Sequence, residues 1–89
     1  MTDQEIITRA NEALAKEFEL DVATLRPEAA FREDLGLDSL DAVDMVIVLE
    51  QEFGVKIGKD PAIANITTVG DLHEYIIAKK RAALSSTAG

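Results

Sequence analysis

With 89 residues, the chain has room for one small domain and one modest core, too little for a deep enclosed active site, which weighs against an enzyme. The formal net charge of -8 argues against nucleic acid or an anionic membrane surface as partner and for basic protein surfaces. Cysteine is absent, which excludes disulfide staples and any thiol chemistry that does not use an imported group.

The first element begins at the N-terminus. Thr2 with Glu5 makes a capping box, and Ile6, Ile7, Ala10, Leu14 and Phe18 recur at helical spacing, which predicts an amphipathic helix to about residue 18. The acidic start lacks the apolar core of a signal peptide, and no apolar run approaches membrane-spanning length, so a soluble, cytoplasmic protein is expected. From Glu19 to Leu37 the period breaks, with Pro27 fixing a turn and Gly36 free for a left-handed position. A loop this long is unusual in a small domain. Leu20, Val22, Leu25, Phe31, Leu35 and Leu37 are expected to pin it to the core, with room for a short helical turn inside it.

The strongest helix follows, from Ser39 to Phe53, with Gly54 as its stop. Asp38 and Asp41 form a near capping box at its start, which puts Ser39 at the first helical position, facing outward. On position alone, Ser39 could be no more than a capping-region residue. A phosphate there would nevertheless be favoured by backbone N–H groups and the helix dipole. Placed at 100° per residue, Ala42, Met45, Val46, Leu49 and Phe53 share the core face. Leu40, Val43 and Ile47 form a second apolar stripe beside Ser39, flanked by Asp38, Asp44 and Glu50. No basic residue occurs between Arg32 and Lys56, so the stripe reads as a docking face for a basic partner.

Val55 and Ile57 flank Lys56 in an extended link. Asp60 and Pro61 signal a short helix of a turn or two, and Ile66 is expected to be buried. Thr68 with Asp71 repeats the capping box, and Val69, Leu72, Tyr75, Ile76 and Ala83 outline a last helix whose end is marked by Lys79, Lys80 and Arg81. His73, the only histidine, lacks partners for a metal or nucleophilic site and is expected at the surface or its boundary. The acidic loop before Ser39 also fails the alternating oxygen pattern of a calcium loop. No complete catalytic site and no metal site is expected.

The run Phe31-Arg-Glu-Asp-Leu-Gly-Leu-Asp-Ser-Leu-Asp, with Leu49-Glu-Gln-Glu-Phe-Gly-Val after it, strongly resembles the acyl carrier proteins. The likeness extends from the first helix to Ile66-Thr-Thr-Val-Gly-Asp-Leu and Tyr75-Ile, and Asp38-Ser39-Leu40 in its Asp-Leu-Gly context is its most specific part. It implies an all-α fold, a small four-helix bundle with a short third helix and a long loop between helices one and two. Residues 1–84 would form the carrier domain and 85–89 a disordered tail.

The resemblance further implies 4′-phosphopantetheine attached covalently to Ser39, carrying acyl groups as thioesters. A phosphopantetheinyl transferase and acyl-processing enzymes with basic patches would meet Asp38, Leu40, Val43, Asp44, Ile47 and Glu50. Phe31, Met45, Val46, Leu49, Ile57, Ile66, Leu72 and Ile76 would line a pocket for the acyl chain. The protein would act as a monomer, without catalysis of its own, in fatty acid, polyketide or related lipid biosynthesis. The segment from Gly58 to Asn65 is less acidic than in carriers of fatty acid synthesis, which leaves the pathway open. The rival reading is an unmodified acidic adaptor that binds a basic protein through the same stripe.

Overall fold

The computed structural model describes residues 2–58 and 61–88, with side chains through residue 82. Among the described residues there are three α-helices: α1 (Asp3–Phe18), α2 (Ser39–Phe53) and α3 (Val69–Ala88). Short 3-10 turns at Val22–Thr24 and Pro61–Asn65 interrupt the connections, and the described residues contain no strand. The all-helical class therefore stands, but the expected short third helix is the second of these 3-10 turns. Its few residues, opened by a proline without an N–H, are better suited to i→i+3 than to sustained i→i+4 bonding. Asp60, expected as its cap, lies outside the described residues.

Local capping chemistry explains where each helix starts. The Thr2 hydroxyl accepts from the Glu5 N–H at 3.1 Å, and the Glu5 carboxylate accepts from the Thr2 N–H. Thr68 and Asp71 repeat the exchange at the head of α3, where the Asp71 carboxylate also accepts from the Thr67 N–H and hydroxyl. These bonds hold the Asp71 carboxyl below its ordinary pKa, the Thr67 backbone bond contributing most. Gly54 ends α2 with φ +64, a left-handed position that a side chain rarely adopts.

The core is mostly aliphatic, with Ile6, Leu14, Leu49, Val69 and Ile76 fully buried and Phe31 and Phe53 as its aromatic members. α1 packs on α2, on α3 and on the first 3-10 turn, whereas α2 and α3 scarcely meet. The long loop is tied down, as its apolar residues suggested: Leu25, Ala29, Phe31 and Leu37 are buried, although Val22 stands 47% exposed. Its decisive anchor is backbone, however. Val69 N–H donates to Ala29 O, Gly70 N–H to Pro27 O and Phe31 N–H to Thr67 O, each at 2.9–3.0 Å, so the loop is clasped to the head of α3. A Cβ at Gly70 would stand 2.9 Å from the Pro27 carbonyl oxygen, so only glycine lets the two backbones approach this closely.

Two expectations for α3 are corrected. Lys79, Lys80 and Arg81 do not mark its end, because the helix runs on to Ala88. Lys80 instead donates to Phe53 O at 2.9 Å, placing its charge at the negative end of α2, and Arg81 bridges to Asp3 of α1 at 2.8 Å. His73 is 5% exposed rather than superficial, with Nε2 2.7 Å from the Asn11 side-chain oxygen. Loss of solvent lowers its pKa, so the neutral ring with Nε2–H donating to Asn11 satisfies the pair.

Candidate functional site

Asp38 organises the start of α2. Its Oδ1 accepts from the Leu40 N–H at 3.0 Å and the Asp41 N–H at 3.1 Å, while Asp41 Oδ2 accepts from the Asp38 N–H at 3.0 Å. Such a reciprocal cap stabilises a helix start by about 1 kcal/mol and fixes the direction in which the first residue points. Ser39 is that residue, and it is exposed.

Beside Ser39 lies a cleft of about 450 Å³ between α2, the loop before it, the second 3-10 turn and α3. Ser39 and Asp38 belong to its lining, and its floor is apolar. Of the eight residues assigned to a pocket on sequence, the lining contains Phe31, Met45, Val46, Leu49, Ile57, Ile66 and Leu72. Ile76 is not among them; it is fully buried in the core. Ile66 is only half-buried, since the cleft keeps it from being covered.

Several lining residues have no signal in the periodicity. Ala30, Arg32 and Glu33 come from the loop and Thr67 from the clasp, and their placement depends on backbone bonds between distant segments. Leu37 and Ala42, which flank Ser39 in the sequence, also belong to the lining. Tyr75 was legible as a helix-face residue, but not as one that reaches the cleft.

Outside the cleft, the second stripe of α2 is open. Leu40, Val43 and Ile47 are 78%, 58% and 47% exposed, so the stripe lies open at the surface of the described residues. Asp38 and Asp44 are exposed at its border. Glu50 differs from them, because it is partly buried and its carboxylate accepts from the Ile57 N–H at 3.0 Å. It holds the extended link after α2 as well as contributing charge. Among the described residues, Leu40 is the most exposed large apolar side chain, immediately next to Ser39 in the chain.

These features test the chemistry of an attached arm. An exposed alcohol can carry a phosphodiester without disturbing the core, and the adjacent apolar cleft offers shelter to a group bound beyond it. The residues fit such a group. No helix among the described residues is long and apolar enough to cross a membrane.

Comparison with known families agrees with the geometry. The family model described as the phosphopantetheine attachment site matches residues 9–76, a span that includes most of α1, all of α2, the clasp and the first part of α3. With most of its length matched and a suitable hydroxyl presented on a capped helix, the chain belongs to the phosphopantetheine-attachment family and is a carrier domain for 4′-phosphopantetheine.

Proposed function

We propose that Ser39 is the attachment residue and that the protein is an acyl carrier, delivering intermediates to enzymes of fatty acid, polyketide or related lipid biosynthesis. The observation that carries this reading is the exposed Ser39 hydroxyl at the edge of a 450 Å³ apolar cleft. When bound, 4′-phosphopantetheine supplies the terminal thiol that this cysteine-free chain lacks. The chain's own residues present and shelter. Asp38 and Asp41 fix the helix start, so that Ser39 faces solvent and a modifying enzyme. Met45, Val46, Leu49 and Leu72 offer an apolar floor that excludes water from a hydrocarbon chain. Leu40, Val43 and Ile47 form the dry centre of a docking face, with Asp38 and Asp44 meeting basic partner residues. Glu50 adds charge at its edge. Contacts of this size are weak and salt-sensitive, as suits a carrier that must leave each enzyme in turn. It would work as a cytoplasmic monomer.

Incubation with a phosphopantetheinyl transferase and coenzyme A should raise the intact mass by one phosphopantetheine, and Ser39→Ala should abolish the gain. An unchanged wild-type mass, or modification that survives Ser39→Ala, would contradict the assignment. The adaptor alternative predicts partner binding that is indifferent to Ser39.

A further inference from the structure

The cap that orients Ser39 leaves little for an anion at that residue. Leu40 and Asp41 already donate their N–H groups to Asp38 Oδ1, and Ala42 N–H donates to Asp38 O at 3.0 Å. The dipole of α2 still favours negative charge there, but direct hydrogen bonds must come from elsewhere.

The loop supplies one candidate. Leu37 N–H donates to Phe31 O at 2.8 Å, closing a turn whose Arg32 and Glu33 line the same cleft as Asp38 and Ser39. Among the described residues, Arg32 is the one cation in the lining. Two of the acids around it are each engaged through one oxygen: Asp34 Oδ2 accepts from the Ala30 N–H at 2.7 Å, and Asp38 Oδ1 accepts from the Leu40 and Asp41 N–H groups, while Glu33, exposed beside it, forms no ion pair with it. Arg32 itself makes no hydrogen bond or ion pair among the described residues. A guanidinium poised in this way has the fork geometry suited to phosphate oxygens.

We propose that Arg32 is a positioning residue that binds the phosphodiester of the arm on Ser39 and turns the arm toward the cleft. This rests on the assignment of Ser39 as the attachment residue. An exposed pair of this kind is weak and salt-dependent, which lets the arm alternate between cleft and solvent without a large barrier. Lysine would replace the charge but not the two-pronged bond.

The test uses wild type, Arg32→Gln and Arg32→Lys after full treatment with transferase and coenzyme A. Intact mass comes first: failure of all three proteins to gain the group refutes the Ser39 assignment, independently of Arg32. With the group attached, the ³¹P resonance should shift between wild type and Arg32→Gln at low salt, and Arg32→Lys should fall between them. An octanoyl thioester on the arm should be cleaved by hydroxylamine about 2- to 5-fold faster in Arg32→Gln, a difference that fades toward 1 M salt. A ³¹P resonance unchanged by Arg32→Gln overturns the proposal, whatever the cleavage rate.

Discussion

Asp44 and Glu50 carry the same charge on α2, yet they do different work. Asp44 is exposed at the border of the apolar stripe, whereas Glu50 reaches back to the Ile57 N–H. Asp44→Lys is therefore expected to slow loading by the transferase at low salt while leaving thermal stability unchanged. Glu50→Lys should also lower stability, by about 1–3 kcal/mol, because the Ile57 N–H loses its charged acceptor. Urea titrations of the two variants separate these effects; equal midpoints would show that the Glu50 bond contributes nothing. The sequence disclosed both residues as part of an acidic border, since their positions follow from helical spacing. It could not disclose the second role of Glu50, which depends on how the chain turns after Gly54. Nor did it reveal the burial of His73, whose partner Asn11 belongs to a different helix.

At the scale of elements, the helix starts were legible and the loop's anchorage was not. Thr2 with Glu5, Asp38 with Asp41 and Thr68 with Asp71 are neighbours in sequence, so their reciprocal bonds can be read directly. The clasp joins residues 27–31 to residues 67–70 through main-chain groups, which every residue type possesses. Gly70 is its one sequence trace. Helix propensity alone predicts that Gly70→Ala stabilises α3 by about 1 kcal/mol. The 2.9 Å approach to Pro27 O predicts the opposite: a net loss of about 1–3 kcal/mol and faster hydrogen exchange at Val69 and residue 70. A variant that melts at or above the wild-type temperature would mean that the clasp yields without cost. The short third helix was misjudged for a related reason, since Pro61 signals a helical start without specifying which hydrogen-bond period follows.

For the whole molecule, the single histidine gives pH a simple handle. His73 has a folded-state pKa below its ordinary 6.5, because burial disfavours the imidazolium. The unfolded chain consequently binds more protons in the interval between the folded value and 6.5, so stability rises with pH there. It should be fully present above 6.5 and decline as pH falls through the folded value. Chemical denaturation across this range should show the slope in wild type and a smaller one in His73→Gln; identical slopes would remove His73 as the cause. The most far-reaching feature of the architecture is that α1 grips both α2 and α3 while those two scarcely meet. The cleft occupies the gap they leave, and α1 contributes nothing to its lining. Cleft and core nevertheless share side chains: Leu49 and Leu72 line the one and are buried in the other, so a substitution that reshapes the cleft floor is felt in the stability of the whole fold.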